Sequence, residues 1–240
     1  MLRYSWTSLC LLFLCVSHML MAQDADNTVD DDDELPKIKP SYKPTAARFG
    51  TNVFRFGRTA FDRDHSSWDV TGDIDFHNYM LEVAYGREST NLNSDGFDYE
   101  NSGSFFRAGV DINFIKDKTE GNALLLGLKY VRGSYNETFI FDDADTLFGV
   151  SDSFELNNES LQSRWLEANV GLKVRMWQQL FVGFYFRYRF NRVITGDREF
   201  GTHRIPGYGL EERRNIVGFD YYVFWRIPFK KSPKITRSEN

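Results

Sequence analysis

Cysteine is nearly missing. The 240-residue chain has two, Cys10 and Cys15, and both lie in an N-terminal apolar run. The mature chain is therefore expected to have none, which excludes disulfides, thiolate metal sites and cysteine nucleophiles. Long apolar runs are nearly missing too. Mean hydropathy is −0.45, and the single long apolar stretch sits at the start, so a helical membrane protein is not expected. Of the four histidines, none has metal-ligand spacing such as His-x-Glu-x-His. There is no excess of positive charge. Lys and Arg number 29 against 34 Asp and Glu, a net charge of −5, and this argues against a nucleic-acid coat.

The opening "MLRYSWTSLCLLFLCVSHMLMAQ" has Arg3 as a short positive region, an apolar core from Leu9 to Met21, and a cleavage point at Ala22-Gln23. Residues 1–22 read as a secretory signal peptide. Ser17 and His18 interrupt the run, and it falls short of the roughly 20 apolar residues of an anchor helix. Phe13-Leu14 before Cys15 fits a lipoprotein site poorly. Next, seven of the eleven residues from Asp24 to Glu34 are acidic, and Pro36, Pro40 and Pro44 follow. Such charge density repels and cannot bury a core. Residues 23–45 are expected to form an acidic, proline-containing tether, with calcium binding as the functional alternative. Residues 230–240 form a basic C-terminal tail.

Aromatic residues are abundant, 16% of the chain with 22 Phe and 12 Tyr, and they recur with a period of two. From Leu180, one parity reads Leu180, Val182, Phe184, Phe186, Tyr188, Phe190. The other reads Phe181, Gly183, Tyr185, Arg187, Arg189, Asn191. Period two marks a strand with one apolar and one polar face. The same pattern recurs in "VTGDIDF", "YMLEVAYGRE", "FFRAGVDINF", "NALLLGLKYVRG", "RWLEANVGLKVR" and the stretch from Val217 to Phe229. In "RFGTNVFRFGR" it is less clean, because Phe49, Thr51 and Val53 claim one face while Phe54 and Phe56 claim the other. That segment is read as a strand of uncertain register.

Eight strands result, several of nine to eleven residues, about the length a tilted strand needs to cross a bilayer. Eight can close without an open edge. The gaps alternate. Residues 77–78, 115–122 and 176–179 are the shorter ones; 59–67, 89–103, 137–160 and 194–214 are the longer ones. The expected fold is all-β, an eight-stranded antiparallel up-and-down transmembrane β-barrel over residues 46–229. Short turns would then be periplasmic and both termini with them. Aromatics near the ends of the apolar faces, such as Tyr79, Phe106, Tyr130, Trp225 and Phe229, suit a headgroup interface.

In such a barrel the polar faces line the lumen. They bring Arg107, Lys129, Lys173, Arg175, Arg187, Arg189 and Arg226 together with Asp73, Asp75, Glu82, Asp111, Glu167 and Asp220. The near balance of sign points to pairing, since a buried charge is tolerable only when paired. Eight strands enclose just enough room for their own side chains. The expectation is a plugged lumen with a structural charge network. An anion conduit would need an excess of one sign.

The phrases "GDIDFHNYMLEVAYGRES", "FFRAGVDINF", "LLLGLKYVRGSYNE" and "NIVGFDYYVFWRIPF" resemble an uncharacterised family of small secreted outer-membrane barrels from Bacteroidetes-type bacteria, over Ala46 to Phe229. The resemblance implies fold and location and carries no catalytic motif.

Other constellations are weaker. Asp64, His65 and Ser66 are neighbours in sequence, but a triad is a geometry. In "FDDADTLFG" the spacing of Asp142, Asp143, Asp145 and Gly149 does not match an EF-hand. The longest gap keeps some alternation, with Phe139 and Phe141 on one arm and Phe154 and Leu156 on the other. A projecting hairpin there offers an edge for a protein partner. The functional expectation is a monomeric outer-membrane barrel with a structural or surface-interaction role and no enzymatic activity. Its partners are outer-membrane lipids and a protein bound through residues 137–160, with no nucleic acid, cofactor or metal. Two other readings stay open: a soluble lipocalin-like barrel holding a small apolar ligand, and a lipid-modifying enzyme using His65 or His203.

Overall fold

The computed structural model describes residues 44–229 apart from 63, 95, 116–119 and 146–149, and also leaves the side chains of 142–145 and 150–153 undescribed. The signal peptide, most of the acidic tether, the basic tail and the side chains of the aspartates of "FDDADTLFG" lie outside that description.

Eight strands close one antiparallel barrel. They are β1 (Ala46–Asn52), β2 (His65–Phe76), β3 (Tyr79–Ser94), β4 (Phe97–Asn113), β5 (Ala123–Asp145), β6 (Val150–Trp177), β7 (Leu180–Thr195) and β10 (Ile216–Pro228). Their order around the ring is β1-β10-β7-β6-β5-β4-β3-β2. β1 closes it by pairing with β10 from Ala46↔Pro228 and with β2 from Ala46↔Asp75. No edge is left open within the ring. Thr45, placed in the tether by composition, is already bonded to the barrel through Asp75 and Phe229.

The alternation dictates which face goes where. Phe49, Phe106, Phe186 and Trp225 on the outside are 51–58% exposed, while Arg107, Lys129, Glu167, Lys173 and Arg187 inside are 0% exposed. A soluble protein would reverse this. An apolar exterior around a charged interior is the pattern of a strand barrel that crosses a bilayer.

Two expectations are corrected. The first concerns the segment read as one strand over residues 48–58. β1 stops at Asn52, and α1 (Val53–Phe61) follows. The Asn52 side chain caps it, accepting from the Arg55 amide at 3.1 Å, which satisfies one of the free donors of a first turn. The helix turns Arg55 into the barrel mouth, 3.5 Å from Glu88 and from Asp220 and 3.8 Å from Asp69. Phe54, Phe56 and Phe61 stay exposed. The conflict of parity in "NVFRFGR" is the mark of this change of period.

The second correction concerns the long gaps. Residues 89–94, 97–103, 137–145 and 150–160 continue the strands. β5 has 23 residues and β6 has 28, and β3 and β4 stay in register out to Ser94↔Phe97. The result is a sheet of β3, β4, β5 and β6 that projects past the barrel at the α1 end. At the same end, residues 196–215 fold into the mouth and carry a two-stranded sheet, β8 (Arg204–Ile205) with β9 (Gly209–Leu210). Gly207 makes this possible. It has φ +78, and a β-carbon there would meet the Phe105 ring at 2.5 Å.

Candidate functional site

The inward side chains form three layers. At the end opposite α1, Met80, Ala123, Leu125, Phe181, Tyr185, Tyr222 and Phe224 make an apolar floor. At the α1 end, Phe105, Val131, Tyr135, Leu161 and Trp165 of the strands meet Ile205 and Tyr208 of the folded-in loop. Most of the inward charges lie between, and Arg48 reaches into the floor, donating to Met80 Sδ and the Gly121 carbonyl, each at 3.3 Å.

The charged layer is tightly cross-linked. Glu167 accepts from Arg107 Nε at 2.7 Å, from Trp165 Nε1 at 3.0 Å and from Arg189 Nε at 3.1 Å, with Arg187 Nη1 at 3.5 Å. Arg187 Nε also donates to Asp220 at 2.9 Å, whose other oxygen accepts from Asn52 Nδ2 at 2.7 Å. Lys129 donates to Asp111 at 2.6 Å and lies 3.4 Å from Glu82. Asn169 completes Asp111 at 3.0 Å. Lower down, Asp73 sits between Lys173 and Arg48, the latter at 2.9 Å, with Asp75 3.5 Å from Arg48. Lys173 Nζ lies 4.4 Å from the centre of the Phe224 ring, where the face of the floor meets the cation.

The structure therefore brings together Asp73, Asp75, Glu82, Arg107, Asp111, Lys129, Glu167, Lys173, Arg187, Arg189 and Asp220. Arg175 and Arg226 are half-buried beside the floor, where Arg226 feels the charges of Arg48, Asp75, Arg175 and Asp73 and Arg175 lies 5.8 Å over the Phe181 ring. Sequence reasoning missed Arg48, Arg55, Asp69 and Glu88, two of each sign, which leave the balance unchanged. Asp69 was within reach, since it shares parity with Thr71, Asp73 and Asp75. Arg48 and Arg55 were hidden by the break between β1 and α1.

Two further carboxylates hold the loop in the mouth. Glu137 accepts from Tyr99 Oη at 2.7 Å, from Asn101 Nδ2 and the Arg204 amide at 3.1 Å, and from the His203 amide at 3.2 Å. Glu88 accepts from Arg204 Nε at 2.8 Å and the Gly207 amide at 3.0 Å. Burial first, and then the Glu137 carboxylate, push the Tyr99 phenol well above its ordinary range.

The expected interaction residues meet on one face of the projecting sheet. Phe139 opposes Leu156 and Phe141 opposes Phe154. Phe139 and Phe141 stack, with ring centroids 5.7 Å apart. With Leu92, Phe97, Tyr99 and His203 they line an apolar hollow of about 270 Å³.

Among the described residues the histidines do not assemble a triad. His65 Nδ1 lies 2.9 Å from Thr90 Oγ1, but Glu88 is 3.8 Å from the other ring nitrogen and is occupied by Arg204 and Gly207. His203 meets the Tyr99 ring edge-on at 5.3 Å. Among the described residues no cluster has the make-up of a metal site.

Several solved barrels are similar to this chain. The attachment invasion locus protein Ail of Yersinia pestis is 11% identical, covering 77% of this chain and 98% of its own, with a TM-score of 0.38. CarO of Acinetobacter baumannii is 10% identical over 78% and 99%, with a TM-score of 0.36. Neisserial surface protein A is 11% identical over 78% and 96%, with a TM-score of 0.35. Likeness at that level carries no argument, and the transmembrane barrel rests on its own closure and its apolar exterior. No curated protein matches the sequence. Residues 1–232 match the family described as Domain of unknown function (DUF6048), and the chain belongs to it.

Proposed function

We propose that the protein is a monomeric outer-membrane barrel whose lumen is sealed and whose work is done by its outward surface. The observation that carries this reading is the layered interior. An ionic layer with nearly equal numbers of each sign lies between two apolar clusters, and so offers an ion neither a wide path nor a net field. The charges act as a structural network that fixes the barrel. The signal-peptide pattern supports export. The projecting sheet at the α1 end supports placing that end outside the cell, with both termini and the short turns in the periplasm.

What remains free to act is the apolar face of the projection. Phe141 and Phe154 are exposed there, and an exposed aromatic face on a sheet is a docking surface for an extended polypeptide. The reading assigns no catalysis. A lipocalin-like calyx needs an apolar interior, and the middle of this one is ionic.

Planar-bilayer recording on the folded protein tests the sealed lumen. The expected record is membrane leak alone; a stable unitary conductance would overturn it. A photo-crosslinker attached through Phe154→Cys on intact cells tests the surface role. A discrete protein adduct is expected, lost when Phe139 and Phe141 are changed to Ser. No adduct, or one that survives those changes, would overturn the role.

A further inference from the structure

The outside of the barrel carries a feature that neither the lumen nor the aromatic hollow explains. Arg132 of β5 and Arg164 of β6 are direct cross-strand partners, and both side chains point outward and are exposed. Like charges directly opposite each other on a sheet repel. No described carboxylate lies within ion-pair distance of either, and the partner found for Arg132 is neutral, Gln162 Oε1 at 2.6 Å.

Their position is specific. Tyr130 and Leu166, also cross-strand partners, stand two residues nearer the barrel centre and belong to the lipid-facing surface. One step farther out, Ser134 of β5, Gln162 of β6 and Thr195 of β7 form a polar row in register. The arginines therefore sit at the boundary between apolar band and polar projection. Tyr130, Arg132, Gln162, Ser163, Arg164 and Thr195 line a groove of about 170 Å³ there. Arg87 repeats the placement on β3, two residues beyond Tyr85 and paired with Ser104. At the other margin the outward residues are Tyr79, Phe114, Met176, Trp177, Trp225 and Phe229. No outward Lys or Arg occurs at that margin among the described residues.

We propose that Arg132 and Arg164 clamp the terminal phosphate of a lipid headgroup in the leaflet at the α1 end, with Gln162 and Thr195 as neutral donors. Two planar guanidiniums facing one groove suit a phosphate that takes two parallel hydrogen bonds from each. The phosphate cancels the repulsion between them. A headgroup is the source because the groove opens at the end of the lipid-facing band, where such a phosphate lies. That the leaflet is the outer one rests on the orientation given above. Lipid retention in nanodiscs does not depend on that orientation, and labelling of Glu159→Cys on intact cells tests it separately.

The experiment uses the full mature protein in nanodiscs of phosphatidylcholine doped with phosphatidic acid or with phosphatidylserine. Lipids retained after release are counted by native mass spectrometry. Retention of phosphatidic acid is expected to fall about tenfold or more in the Arg132→Gln, Arg164→Gln double variant. Thermal unfolding supplies the second reading. In pure phosphatidylcholine the double variant should be at least as stable as the parent, because the repulsion is gone; with phosphatidic acid the order should reverse. Equal retention by parent and variant would overturn the clamp, as would no reversal of stability. Equal retention of phosphatidylserine would overturn the specificity for a terminal phosphate. Displacement of the lipid by inorganic phosphate would assign the groove to a free anion and overturn the lipid.

Discussion

Replacing Glu167 by Gln keeps the size of the side chain and removes one charge from the centre of the network. Glu167 is fully buried and receives three close hydrogen bonds, from Arg107, Arg189 and Trp165, and a longer fourth from Arg187 at 3.5 Å. Without it, the nearest carboxylate to Arg107 is Asp69 at 3.8 Å, and for Arg189 it is Asp220 at 4.0 Å. Both distances are too long for a direct hydrogen bond. Removing one partner of a buried pair costs about 3–5 kcal/mol, and Gln recovers little because an amide has one acceptor oxygen for three donors. The control is Asp62→Asn, which breaks the half-exposed Arg58–Asp62 pair on α1 and should cost about 0.3–0.5 kcal/mol. Urea unfolding of both variants in phosphatidylcholine vesicles, followed by tryptophan fluorescence, makes the comparison. Adding Arg189→Gln to Glu167→Gln should recover part of the loss, because the two residues are directly coupled. If Glu167→Gln costs no more than Asp62→Asn, the charges are screened by water and the lumen is hydrated, which refutes a sealed interior.

Other outcomes are expected alongside it. Gly207→Ala should leave the barrel closed but release residues 196–215 to protease, since a positive φ and the Phe105 clash together cost about 2 kcal/mol or more; continued protection would refute the wedged loop. Phe54→Asp with Phe56→Asp should slow insertion into vesicles without altering the lumen, because α1 turns those rings away from Arg55; unchanged insertion would place α1 away from lipid. A short turn in place of residues 137–160 should leave the heat-dependent shift in gel mobility intact, since the ring closes without it. Its loss would mean that the projection is part of the folding core. In the native state Tyr99 should resist ionisation above about pH 10, the ordinary tyrosine range. A raised folded pKa means the stability it supplies is whole below that range and is lost as pH rises through the folded value. Alkaline absorbance titration of Tyr99→Phe against the parent checks this; the two curves should coincide in the ordinary range, and one more phenol ionising there in the parent than in the variant would contradict it.

Much of this fold is visible in the sequence wherever one face meets lipid and the other meets charge. In β7 the run from Leu180 to Phe190 alternates without a fault, and such a strand has one possible facing. Beyond the lipid band the contrast fades. "STNLNSDGFDYENSG" is polar on both parities and reads as a loop, yet the hydrogen-bond ladder runs through it from Ser89↔Ser102 to Ser94↔Phe97. Which charges are inside followed from parity, but which ones touch did not. Arg107 reaches Glu167 across two strands because of the stagger of the barrel, and no local pattern encodes that stagger. The aromatic floor and lid were hidden for the same reason. Tyr185, Tyr222 and Phe224 share parity with the lumen charges, and only the closed ring stacks them into a layer.

The measurement that tests the central claim most directly asks which face meets lipid. Variants retaining one tryptophan each, Trp68, Trp225 or Trp165, with the others changed to Phe, would be folded into vesicles whose acyl chains carry bromine. Trp68 and Trp225 point outward, whereas Trp165 is buried against Glu167 and Tyr208. Strong quenching of Trp68 and Trp225 with Trp165 spared is the predicted result. Quenching of Trp165 alone, or of none of the three, would mean that the apolar faces do not meet lipid, and the transmembrane barrel would be contradicted.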